Sequence, residues 1–237
     1  MRARITLLLF AILYSFTCLA QTNFEKHFTK KSLRIDFALS GNWDFQAAAI
    51  QQLREEPVWA GPVKNLIDPF GYGGYYINVY DKAGKELIYS RGFNTLFEEW
   101  RSTEQAKTET QSWTNSISIP YPKAPVIIEI TARDKADMQF HPLLKQEIDP
   151  ASIFIDRGKL KENRITKIRY NGDSSGKVDL VFLAEGYTAD EQEKFVADAK
   201  RFTEALFKTP PYDTRREDFN VRSEERRVGK ECRSRWS

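Results

Sequence analysis

The sequence predicts an α+β protein, an amino-terminal β-sandwich followed by the opening of an α/β domain. Three observations lead there. Short stretches alternating apolar and polar residues recur through the first 155 positions, divided by glycine and proline, and strands at that spacing build sandwiches. Beyond a polar loop the pattern changes to the near-continuous apolar run Val178–Ala184, which suits a strand buried on both faces. A helix with its own start signal follows that run.

The chain opens MRARITLLLFAILYSFTCLAQT, with basic Arg2 and Arg4, an apolar run from Ile5 to Phe16, and small residues before Ala20. This is the pattern of a secretory signal peptide over residues 1–20, with cleavage expected after Ala20. The apolar run is shorter than the ~20 residues a membrane span needs. A lipoprotein signal at Cys18 and a retained anchor are the alternatives. The expected location is secreted, periplasmic or cell-surface, with no stable membrane span once the signal is removed.

The sandwich is expected over residues 24–155. Leu33, Ile35, Phe37 and Leu39 alternate with polar partners as a half-buried strand ending at Gly41. The stretch FQAAAIQQLREEPVWAGP is ambiguous until Pro57 and Gly61-Pro62 end it. Tyr76–Tyr80 and Glu86–Tyr89 flank a turn containing Gly84 and read as a hairpin. Leu96 to Trp100 suggests a short helical turn, and Ser102 to Ser112 a loop. SISIP and APVIIEITARD are two more strands, separated by Pro120, Pro122 and Pro125. Asp149-Pro150 marks the boundary.

Asn171-Gly172-Asp173-Ser174-Ser175-Gly176 is a polar loop. After the apolar run, Thr188 and Glu191 have the T-x-x-E spacing of a capping box. Phe195, Ala199, Phe202 and Leu206 fall on one face of the helix, and Pro210-Pro211 stops it. This α/β part is expected over residues 165–221.

The last segment, 222–237, reads RSEERRVGKECRSRWS and has no apolar periodicity. It resembles a translated sequencing-adapter oligonucleotide and is set aside as an artefactual tail, so that the α/β domain is expected to be truncated. The net charge of +3 arises at the ends. The tail alone holds six Lys/Arg against three Asp/Glu. The body between signal and tail is close to neutral, which offers no electrostatic footprint for nucleic acid. The two cysteines, Cys18 and Cys232, lie in the signal and the tail, so a disulfide framework or thiolate zinc site in the body is excluded.

A zinc peptidase helix of the H-E-x-x-H kind places two imidazoles on one helix face with a general base beside the metal-bound water. His27 and His141 are the two histidines, followed by Phe28-Thr29-Lys30-Lys31 and Pro142-Leu143-Leu144-Lys145. Neither begins that motif, and both read as surface or packing residues. Gly71-Tyr72-Gly73-Gly74 lacks the Lys-Ser/Thr ending of a phosphate loop and reads as a turn into a strand. Glu185-Gly186-Tyr187 sits where an apolar strand turns into a helix, the edge at which α/β sheets bind ligands; turn chemistry alone also accounts for the glycine. Trp43, Trp59, Trp100 and Trp113 suggest either a sugar-binding platform or packing. No G-x-S-x-G nucleophile elbow is present. The residues therefore assign no catalytic, cofactor-binding or metal position.

Residues 178–221 carry the apolar strand, Glu185-Gly186-Tyr187-Thr188, the helix with Phe195, a following Pro-Tyr, and Phe219-Asn220-Val221. This order resembles the start of the catalytic domain of the IgA-peptidase family of zinc metallopeptidases. Upstream, Trp59-Ala60-Gly61-Pro62, Phe93–Trp100 and Ile119-Pro120-Tyr121-Pro122-Lys123 resemble that family's amino-terminal domain. The resemblance implies a secreted zinc endopeptidase acting on protein or peptide substrates, with a zincin-like domain whose metal motif lies downstream of Phe-Asn-Val. It implies zinc in the full-length parent, no cofactor in this chain, and no hydrolysis by this chain alone. The alternative is a non-catalytic exported sandwich that binds a glycan or a protein.

Overall fold

A computed structural model describes residues 22–83, 85–159 and 165–224. The segment 1–20 expected to be a signal peptide, with Cys18, the turn residue Gly84 and most of the segment 222–237 with Cys232 lie outside the described residues. The protein is α+β, mostly strand, as the sequence predicts. It divides into two compact units. Among the described residues, one unit gathers those up to Thr29, Leu33–Leu53 and Val63–Ile155; the other takes Lys30–Ser32, Arg54–Pro62 and those from Asp156 onward.

After a one-turn helix α1 (Phe24–His27), the sandwich is built from β1 (Phe28–Gly41), β2 (Gln46–Glu56), β3 (Tyr75–Asp81), β4 (Leu87–Phe93), β5 (Gln111–Pro122), β6 (Val126–Arg133), β7 (Phe140–Ile148) and β8 (Ile155–Asp156). One sheet runs β5-β1-β2-β8 and the other β4-β3-β6-β7. Period-2 patterning decides which side chains meet. Leu33, Ile35, Phe37 and Leu39 of β1 are completely buried, as are Ile77 and Val79 of β3 and Ile128 and Ile130 of β6. Aromatic contacts join the sheets. Phe37 packs edge-on against Phe93 at 6.0 Å and Phe28 against Tyr89 at 6.5 Å, while the Tyr75 hydroxyl donates to Gln46 Oε1 at 2.8 Å. Burial pushes the Tyr89 hydroxyl pKa up to about 12.

The structure resolves several ambiguities. The stretch Gln46–Glu56 is a strand, mostly half-exposed. The hairpin is β3 with β4, paired from Tyr75↔Phe93 to Tyr80↔Leu87. The helical turn is α2 (Leu96–Arg101), started by the Thr95 hydroxyl, which accepts from the Glu98 N–H at 3.2 Å. Pro120 and Pro122, expected to separate strands, instead lie inside β5. β5 is the outer strand of its sheet, where a residue without an N–H leaves no inner ladder bond unmade.

The second unit holds β9 (Ile165–Arg169), β10 (Val178–Leu183), α3 (Gln192–Leu206) and β11 (Phe219–Glu224), in the sheet order β10-β11-β9. β10 and β11 are parallel, in register from Val178↔Phe219 to Leu183↔Glu224, and β9 pairs antiparallel to β11. The parallel pair needs a crossover, and α3 supplies it. β11 takes in Arg222, Ser223 and Glu224, the first three residues of the segment set aside as tail.

Two expectations about this unit are corrected. The run Val178–Ala184 is not buried on both faces. Val178, Val181 and Leu183 are 54%, 48% and 60% exposed; Val181 and Leu183 lie on the face opposite Phe182, the side chain that meets the helix, and β10 is an outer strand. The buried stripe of α3 is Phe195, Ala199 and Thr203, continued by Phe207 after the helix, while Phe202 is 51% exposed. The stripe follows a four-residue step. The Thr203 hydroxyl donates to the Ala199 carbonyl at 2.8 Å, which lets a polar residue sit inside it. Phe202 instead reaches Phe182 of β10, at 6.5 Å, and the Arg201 guanidinium, at 4.4 Å.

Candidate functional site

The carboxyl end of β10 is the edge at which an α/β sheet presents ligand-binding groups. The parallel ladder continues one residue past the strand, where the Ala184 N–H donates to the Glu224 carbonyl at 3.1 Å. Gly186 then turns the chain with φ +79°, which favours glycine. Tyr187 folds back over α3. Its ring packs on Phe195 at 5.1 Å and its hydroxyl donates to Asp198 Oδ2 at 3.0 Å. The neighbouring Asp198 carboxylate raises the Tyr187 pKa, so the phenol stays a hydrogen-bond donor and is no candidate base. Asp198 is itself held low by Arg201, bonded at 2.9 Å, and by Tyr187. The Glu191 carboxylate closes the helix start, accepting from the Thr188 N–H at 3.0 Å and its hydroxyl at 3.1 Å. Tyr187 and Thr188 thus serve the turn, and Glu185 points to solvent.

At the opposite end of the sheet, two asparagines join three chain segments. Asn220, fully buried, accepts from the Asn171 N–H at 2.8 Å and donates to the Gly172 carbonyl and Asp179 Oδ1, each at 2.9 Å. Asn171 Nδ2 donates to the carbonyls of Arg216, at 3.1 Å, and Phe219, at 2.8 Å. The polar loop that the sequence shows is therefore tied to β11 through side-chain amides. Sequence reasoning picked out both stretches but not their union, since a side-chain-to-backbone tie has no spacing signature.

The histidines do not form a site. His141 Nε2 lies 2.8 Å from Asp137 Oδ2 on an exposed hairpin. His27 is half-buried in α1 beside Phe28; burial, helped by Lys26, lowers its pKa. Among the described residues no group of three or more His, Cys, Asp or Glu is placed to hold a metal ion.

The glycine-rich stretch 71–74 is a turn, with φ of +65° at Gly71 and +96° at Gly73. Its carbonyls face inward. Arg133 donates from Nε to the Gly73 carbonyl at 3.2 Å, from Nη1 to Met138 at 2.9 Å, and from Nη2 to Gly71. The amide of neighbouring Phe70 is taken by the chain's own carboxylate, Asp68 Oδ1 at 3.0 Å. That is the reverse of a phosphate cradle, which aims amides outward.

The four tryptophans form no platform. Trp59 and Trp100 are each 8% exposed. Trp59 Nε1 donates to the Pro62 carbonyl at 3.1 Å, and Trp100 stacks on Phe97 at 5.7 Å. Trp113 is half-buried, its Nε1 donating to Gln111 Oε1 at 2.9 Å, and Trp43 is exposed. Two other exposed rings of the sandwich, Phe70 and Tyr72, stack on each other at 5.7 Å.

No helix among the described residues is long and apolar enough to cross a membrane, a statement that leaves β-barrels aside. No curated protein matches the chain. Residues 23–143 match the Peptidase M64 N-terminus family, and residues 166–229 match IgA Peptidase M64. The first match covers the strands β1 to β6 with the start of β7, and the second, from the second residue of β9, covers the rest of the β9-β10-α3-β11 unit. With half of the chain in the first match and the second following it in order, the chain belongs to the M64 family of IgA peptidases.

Proposed function

We propose that this chain is the amino-terminal part of a secreted zinc metallopeptidase that cleaves protein or peptide substrates. It supplies the sandwich, at residues 24–155, and the first β-α-β unit of the catalytic domain, at 165–221. The H-E-x-x-H helix of the parent follows β11. The observation that carries this reading is the order of the two family matches along one chain, with the second falling on a parallel β-α-β crossover. The signal-like amino terminus supports export.

The described residues do not fit a zinc ion. A catalytic zinc needs three protein donors and an open position, and His141 is engaged by Asp137 while His27 lies half-buried in a different element. No hydrolytic step is therefore assigned to the residues of this chain. In the parent the metal would supply an activated water and polarise the scissile carbonyl. The purified chain is expected to hold no stoichiometric zinc by elemental analysis and to show no chelator-sensitive proteolysis. One tightly held zinc per chain would overturn the reading.

A further inference from the structure

We propose that Asn171 is a deamidation site gated by the fold of the β9-β10-α3-β11 unit. The proposal stands on this unit alone and does not depend on the peptidase reading. Asn171-Gly172 is the one Asn-Gly pair in the sequence. Glycine has no Cβ, so its amide nitrogen approaches the preceding carboxamide with the least hindrance. The nitrogen of Gly172 bonds to Asn171 Cγ, the Cγ–Nδ2 bond breaks, and ammonia leaves with the proton of the Gly172 amide. Water then opens the succinimide at either carbonyl and leaves aspartate or isoaspartate. Water is the only co-reactant.

The same glycine is required by the turn. Gly172 has φ +139°, a region that L side chains rarely enter. The chain thus keeps a chemically labile pair for a conformational reason. In the closed unit the carboxamide is held out of reaction by its two carbonyl partners, Arg216 and Phe219. The backbone on either side is held as well, through Asn220. Cyclisation requires the Asn171 side chain to leave both carbonyls, so residues 171–172 must part from 216–220. Such partings occur as local openings, at a frequency set by local rather than global stability.

Closing again after the reaction is disfavoured. An aspartate has no N–H to give and directs carboxylate oxygens at two carbonyl oxygens that had accepted hydrogen bonds, and leaving those acceptors unsatisfied carries its own penalty. An isoaspartate adds a methylene to the backbone between two bonded positions. Each opening that ends in reaction is therefore recorded irreversibly.

The test compares the full 237-residue chain, folded and in strong denaturant, in mildly alkaline buffer, with deamidation at Asn171 followed by peptide mapping. The folded chain is expected to react at least about tenfold more slowly, the ratio reporting how rarely the unit opens. Equal rates overturn the gating. Asn171→Asp is expected to lose protease protection across 165–224 while the sandwich keeps its own; unchanged protection overturns the role of the carboxamide ties. Should that variant aggregate, partly aged wild-type chain gives the same comparison. Modified molecules are expected to be cut first, and equal cutting contradicts the proposal.

Discussion

Trp59-Ala60-Gly61-Pro62 shows how single residues divide the labour. The Trp59 indole is 8% exposed, bonds to Pro62, and lies so close to Gly61 that a Cβ there would run into the ring. Gly61 is thus required for close approach rather than for a special φ. Gly61→Ala is expected to destabilise the protein by about 1–3 kcal/mol, the usual cost of overpacking. Trp43→Ala, at a side chain 55% exposed, is expected to stay within about 0.5 kcal/mol. Urea unfolding of both variants checks the pair, and equal losses would mean that burial was misassigned. Sequence could single out these residues but not sort them. Nothing in the identity of a tryptophan tells that Trp59 and Trp100 are packed while Trp43 is wet, because burial is decided by what arrives from elsewhere in the chain. Asp68 illustrates the same limit. Burial raises its pKa, but the amides of Phe70 and Gly92, together with the Tyr76 hydroxyl and Arg91, outweigh that and hold it below its ordinary 3.8.

At the scale of elements, the local signals were the legible ones. The alternation of β1, the β3-β4 hairpin, the short helix α2 and the Thr188–Glu191 helix start all rest on neighbours in sequence, and the structure contains each of them. The helix start has a consequence in acid. The Thr188 N–H, then the Thr188 hydroxyl and Lys194, hold Glu191 below the ordinary value of 4.5. A carboxylate depressed on folding contributes stability that is complete above its unfolded value and lost as pH falls through the folded one. Glu191→Gln is therefore expected to loosen α3 at neutral pH, with its difference from wild type vanishing in acid below that range; hydrogen exchange of the α3 amides measures it. A constant difference would show the carboxylate charge to be irrelevant. What sequence did not disclose were non-local facts, among them that β5 runs through two prolines and that β10 is an outer strand. The exposed Val181 and Leu183 lie on the sheet face that also carries Asp179 and Asn220. Exposed apolar strand edges invite association. Leu183→Lys is expected to raise solubility with little loss of stability, and limited proteolysis should cut 165–224 before the sandwich. Equal protection of both regions would contradict this.

For the molecule as a whole, the sandwich and the β-α-β unit explain why composition alone carried little functional information. The body is nearly neutral and holds two histidines, and the groups that looked like sites turn out to serve turns and helix starts. The glycine-rich stretch is a turn whose carbonyls Arg133 holds, and Tyr187 bonds a helix. Function entered through the order of motifs, and the two family matches follow that order. The β11 strand reaches Glu224 and the second match reaches residue 229, both past Val221, the end that the sequence reading gives the natural chain. The most direct test of the central proposal is long-read sequencing of the parent locus through codon 221. The reading frame is expected to continue into an H-E-x-x-H motif. A frame that encodes RSEERRVGKECRSRWS and then stops would contradict it and leave a non-catalytic sandwich protein.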